Sequence, residues 1–128
     1  MFVHDSNHKG NVAELAIAAE AARLGISVLK PLTEHERYDL VFGLSAGLIR
    51  VQCKWAALDG NVVRIHLSRN RRGPKGLMAR TYPREEIDAV AAYCGELDRC
   101  YFFPIDAIEG QWVIQLRWMR PETASVRL

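Results

Sequence analysis

Asp39, Gln52 and Lys54 are the residues whose types and spacing point most directly to chemistry. They stand on two runs rich in β-branched and aromatic residues, 38 to 44 (YDLVFGL) and 48 to 55 (LIRVQCKW), parted by Ser45 and Ala46. Such runs around a short turn of small residues predict a β-hairpin. Side chains alternate across a strand, so Leu48, Arg50, Gln52 and Lys54 share one face, and Ile49, Val51, Cys53 and Trp55 form the core face. On the preceding run Leu40, Phe42 and Leu44 face the core, while Asp39 and Val41 face away. A two-residue turn at Ser45 and Ala46 pairs Leu44 with Gly47 and, stepping outward, sets Asp39 opposite Gln52. A carboxylate, an amide and an ammonium then converge on one patch that hydrophobic patterning does not require. An Mg²⁺ ion takes hard oxygen ligands in octahedral geometry, a set that Asp39, the side-chain oxygen of Gln52, the backbone carbonyl of Cys53 and waters can supply. Lys54 beside such an ion is suited to orient or deprotonate an attacking water, or to stabilise charge in the transition state. Spacing alone fits a solvated sheet face with an Asp39 to Lys54 salt bridge equally well, a contact worth about 0–1 kcal/mol.

Glu14 joins this group by a separate argument. From Asn7 or Asn11 to Leu24 the chain is rich in Ala, Glu and Leu without Pro, and Gly25 stands where a helix C′ residue belongs, so a helix is predicted there. On that helix Glu14 shares a stripe with Ile17, Ala21 and Leu24. A carboxylate in an apolar stripe costs several kcal/mol, roughly the scale of a desolvated ion, unless it is paired or binds metal. The alternative is a helix-surface glutamate paired with Lys9 or Arg23.

The remaining elements must position these groups. Residues 26 to 31 (ISVLKP) fit a short strand, and 62 to 68 (VVRIHLS) a further antiparallel strand after a turn at Asp59, Gly60 and Asn61. RNRRGPKG then reads as a basic loop. From Arg84 to about Cys94 the spacing of Ile87, Val90, Ala91 and Cys94 predicts a second amphipathic helix. Residues 100 to 105 (CYFFPI) and 112 to 118 (WVIQLRW) read as two further strands, and the tail from Pro121 as irregular. No internal repeat or low-complexity tract interrupts this order.

At 128 residues the chain is long enough for one respectable core and too short for two, so one domain over 1–128 is expected, its core at about 4–118 followed by a short C-terminal tail. With 49% hydrophobic and 25% charged residues of mixed sign, the composition is that of an ordinary globular protein. No apolar run approaches the roughly 18 residues of a membrane span, and the N-terminus lacks the apolar core of a signal peptide, which makes the cytoplasm the default location. Cys53, Cys94 and Cys100 form no CxxC pair, which argues against a disulfide framework or a zinc site. His4, His8, His35 and His66 lack ligand spacing. The net charge of +2 names no partner, but its distribution does. Arg64, Arg69, Arg71, Arg72, Lys75 and Arg80 follow one another without an acidic residue between them, whereas 85 to 98 is dominated by acids. Arg69, Arg71, Arg72 and Lys75, with Arg80 and with Lys9 nearer the patch, are candidates to track phosphates; a solvated loop is the other reading. The aromatic residues Tyr101, Phe102, Phe103 and Trp112 read as core or subunit interface.

The segments HKGNVAE, GISVLKP, RYDLVFG and RVQCKW, with the later EEIDAVAAYC and CYFFP, resemble the PD-(D/E)XK nuclease superfamily. Within it the likeness is to the group I intron-associated homing endonucleases and, more distantly, to archaeal-type Holliday junction resolvases. It covers roughly residues 4 to 105. The resemblance implies an α/β fold, a restriction-endonuclease-like αβββαβ core with a mixed sheet flanked by helices. It implies metal-binding acids at Glu14 and Asp39, the usual acid position at Gln52 and the motif lysine at Lys54. Tyr38 stands where the motif has Pro, and Gln52 removes one negative charge, a variation known in the intron-encoded branch. The implied activity is Mg²⁺-dependent hydrolysis of DNA phosphodiesters, with Mn²⁺ as a substitute, by a homodimer or homotetramer, since cutting a duplex takes two sites. A structure-selective nuclease acting on branched DNA and an inactive DNA-binding pseudonuclease share the same residues and stay open as alternatives.

Overall fold

A computed structural model describes residues 6–73 and 76–118, with the side chains of residues 6 and 69–80 outside that description. Helix α1 runs Ser6–Arg23, and an Ala-rich stretch without β-branched crowding accounts for its length. It ends in a Schellman motif: the Gly25 amide donates to the Ala22 carbonyl (3.0 Å) and the Ile26 amide to the Ala21 carbonyl (3.0 Å), with Gly25 at φ +81°. Ile26 then enters the core, and β1 (Ser27–Leu29) follows.

Strands β2 (Leu40–Leu44) and β3 (Gly47–Asp59) form the predicted hairpin, with Leu44 paired to Gly47 and Leu40 to Val51. β3 is long enough to serve several neighbours. Its start pairs β2, residues 51–56 pair β7 (Ala89–Cys94) in parallel, and Ala57–Asp59 turn back at Gly60 into β4 (Val62–His66). β8 (Arg99–Pro104) pairs β7, and β9 (Val113–Arg117) pairs β4, while the one-turn helix α2 (Ile105–Ile108) links β8 to β9. The result is a mixed seven-stranded sheet with flanking helices, the restriction-endonuclease-like class that the resemblance implies.

The sheet is covered on both faces. α1 lays Ala13, Ile17 and Ala21 on Leu40, Phe42, Val51 and Ala91, and the opposite face gathers Val63, Ile65, Leu67, Tyr82, Ile87, Val90, Cys94, Ile105, Ile108 and Ile114. β7 is therefore buried from both sides, with every residue but Tyr93 fully buried. This overturns the helix expected from Arg84 to Cys94: residues 84–86 form a turn and 89–94 a strand. A central parallel strand needs a continuous apolar run, and AVAAYC fits that and a helical stripe alike.

The segment expected as a basic loop is instead a hairpin, β5 (Arg69–Gly73) paired with β6 (Gly76–Arg80) from Arg69↔Arg80 to Gly73↔Gly76. Lys75 and the tail from Pro121 lie outside the described residues, as do the side chains of Arg69, Arg71, Arg72 and Arg80. Among the described residues, no helix is long and apolar enough to cross a membrane.

Candidate active site

The β2 ladder stops at the Leu40–Val51 pair, and the Asp39 amide adds one more bond to the Val51 carbonyl (2.9 Å). Asp39 and Leu40 thus both face Val51, a bulge that takes Asp39 out of the register expected to set it opposite Gln52. With no β2 residue left to pair it, the Cys53 amide donates to Asp39 Oδ2 (2.9 Å). In an extended strand a residue's N–H and C=O point to the same edge, so the Cys53 carbonyl lies on the Asp39 side of β3. The Asp39 carboxylate is thus fixed at a strand end, half-buried, beside a backbone carbonyl.

Burial raises the Asp39 pKa above the usual carboxylate range; the Cys53 amide opposes this, Glu14 adds to it, and Lys30 and Lys54 pull it back. Glu14 and Lys54, which come from different elements, therefore both act on Asp39. The Glu14 side chain is 27% exposed and ion-paired with Lys30, rather than with the Lys9 or Arg23 considered from sequence; Arg23 pairs with Glu20. Asp39 accepts from the Cys53 amide. Lys54 lies on the face away from α1, its ammonium 5.0 Å from the centre of the Tyr82 ring. Gln52, half-buried, shares that face. Burial raises the Cys53 thiol far above its ordinary pKa, which leaves it an inert side chain whose backbone matters more.

Lys9 lies over the Trp55 ring at 5.8 Å, on the α1 side of the sheet. Arg50, next to Gln52 on the site face, ties β3 to the turn before β7. Its amide (2.7 Å) and Nε (2.9 Å) donate to Asp88 Oδ2, and its guanidinium also reaches Asp88 Oδ1 (3.1 Å) and the Glu85 carbonyl (2.7 Å). This clamp holds the Asp88 carboxyl below the usual range.

Among the described residues, no group of three or more His, Cys, Asp and Glu is placed to hold a metal ion. Glu14 and Asp39 supply only two carboxylates, so a cation here would need further oxygens, for which the Cys53 carbonyl on the Asp39 side of β3 and the Gln52 carboxamide are the candidates. These are all oxygens, the donor set of a hard divalent cation, and the half-buried charge of Asp39 is one that such a cation relieves. The residues fit.

A model of the PD-(D/E)XK endonuclease family matches residues 4–127. The chain belongs to the PD-(D/E)XK endonucleases. Among solved structures, the bacterial homing endonuclease I-Ssp6803I superposes with a TM-score of 0.77 at 30% identity, covering 90% of this chain and 80% of that one. No curated protein sequence matches the chain. Tyr38, where the resemblance puts the motif's proline, packs against the core cluster remote from α1. Lys30, Arg50 and Tyr82 escape the sequence reading. Lys30 lies 16 residues from Glu14 in the chain, and no periodicity links the end of β1 to a helix stripe.

Proposed function

We propose that this PD-(D/E)XK endonuclease is a divalent-metal-dependent DNA endonuclease of the homing-endonuclease kind, working with Mg²⁺ or, as a substitute, Mn²⁺. The observation that carries the reading is the half-buried Asp39 carboxylate beside the Cys53 edge of β3, under the influence of both Glu14 and Lys54. Glu14 and Asp39 would bind the cation through their carboxylates, Gln52 through its side-chain oxygen and Cys53 through its backbone carbonyl. When bound, the cation supplies Lewis acidity to the phosphodiester and makes a water more acidic. Lys54 orients the attacking water and stabilises negative charge on the phosphoryl oxygens, and Tyr82 limits the directions its stem can take.

Lys9, Arg69, Arg71, Arg72, Lys75 and Arg80 are the proposed phosphate contacts, and Arg69, Arg71, Arg72 and Arg80 stand on the strands of the β5–β6 hairpin. The whole chain acts as a single nuclease domain. One subunit offers one such centre, so cutting both strands of a duplex calls for a homodimer or homotetramer. Light scattering is expected to return a multiple of 14.5 kDa.

Plasmid cleavage with Mg²⁺ tests the chemistry. The unaltered chain should cut, while Lys54→Ala and Asp39→Asn should each lose at least about a hundredfold, the scale of removing a transition-state charge partner. Equal cutting by all three would remove these residues from the site. Binding without cutting by the unaltered chain would identify a pseudonuclease, a reading that the neutral Gln52 favours. Linear and four-way-junction substrates run side by side distinguish a sequence reader from a structure-selective nuclease.

A further inference from the structure

Lys30 follows β1 directly, and its ammonium is ion-paired with Glu14 across the gap between that strand and α1. The same ammonium is one of the positive charges acting on Asp39 and on Cys53. Glu14 thus already carries a cation that the chain itself provides, and Lys30 and Asp39 line one cavity with residues 31–36 and Tyr38. The fold does not demand a lysine there: the Lys30 side chain is 66% exposed, and an exposed ion pair adds little to stability. A lysine is a compact point charge on a flexible stem, able to leave one carboxylate without disturbing the backbone that carries it.

An ammonium resting on Glu14 occupies an oxygen that a divalent ion would take. Coulomb repulsion between an ammonium and a dication a few ångströms apart is worth a factor of roughly ten in binding, even under strong water screening. Resting on the reading of Glu14 and Asp39 as cation ligands, we propose that Lys30 is the resident counter-ion of these acids. A divalent cation displaces it on binding, and Lys30 thereby sets the cation affinity of the site as a positioning residue. The coupling is reciprocal: whatever affinity the cation loses to Lys30, the grip of Lys30 on Glu14 loses to the cation.

The test uses the intact chain without DNA and Ca²⁺ as the probe, followed by titration calorimetry and by the rise in unfolding temperature that Ca²⁺ produces. Lys30→Met is expected to bind Ca²⁺ roughly tenfold more tightly than the unaltered chain. Lys30→Arg, which keeps the charge, should stay within about twofold of it, a rescue that a merely structural role would not produce. Lys30→Gln repeats the neutral case with a polar side chain, should the methionine variant fold poorly. Unchanged or weaker Ca²⁺ binding in both neutral variants, with the unaltered chain binding normally, overturns the counter-ion role alone. Equal binding by the unaltered chain and Glu14→Gln overturns the cation site itself, and this inference with it.

Discussion

The Asp39 carboxylate gives up part of its hydration to lie against the Cys53 amide, and burial raises its proton affinity while Lys30 and Lys54 draw it back. An acid whose pKa is higher in the folded chain than in the unfolded one is costly to fold in its charged form. That cost is fully present above the folded value and disappears as the pH falls below the ordinary carboxylate range. Asp39→Asn keeps an oxygen to accept the Cys53 amide and removes the charge. It should stabilise the cation-free protein at neutral pH by a few tenths to about 1 kcal/mol, the usual gain when a functional site is relaxed. The gain should shrink towards about pH 4, where the native acid is protonated too. Urea denaturation at the two pH values checks this, and a neutral-pH loss of stability would contradict it. The hairpin that carries Asp39 and Gln52 was legible in the sequence because the period of a strand and a two-residue turn fix its register as far as the Leu40–Val51 pair. Lys30 and Tyr82 were not, because tertiary packing alone brings them to Glu14 and Lys54.

At the level of elements, the β2–β3 hairpin followed from local chemistry, and its Leu44↔Gly47 register is the one predicted. α1 likewise announces its end through Gly25. The errors fall where local signals have two solutions. In β7 an apolar run satisfies both a helix stripe and a doubly buried strand, and only the parallel docking on β3 decides between them. In the 69–80 segment, Arg, Asn and Gly hide a hairpin because β-propensity is weak there. β7 leaves a further mark at Gly95, just beyond its end, which lies under the Trp55 ring of β3. A Cβ built on Gly95 would come within 2.6 Å of Trp55 Cη2 and 3.1 Å of Cζ2. The ring is also in edge contact with Tyr93, centroids 5.9 Å apart and planes at 75°, which limits its movement. Gly95→Ala is therefore expected to cost roughly 1–3 kcal/mol of stability. Trp55→Leu in the same chain should recover part of that loss. An undiminished denaturation midpoint for the alanine variant would show that the ring yields without cost.

Across the whole molecule, two of the sheet's pairings join distant stretches: Val51 to Ala89, 38 positions apart (89 − 51), and Val62 to Arg117, 55 apart (117 − 62). Closing such long loops before any contact rewards them slows folding, so refolding is expected on the millisecond to second scale rather than in microseconds. Stopped-flow fluorescence of the tryptophans measures it, and a sub-millisecond main phase would be the wrong answer. The parallel docking of β7 carries a biological corollary. β3 holds Gln52, Cys53 and Lys54, yet its second flank is supplied by a segment made almost forty codons later. A polypeptide still emerging from the ribosome therefore holds residues 52–54 on a strand with one flank open. A chain that stops short of residue 89 is expected to lack the fold on which the proposed centre depends.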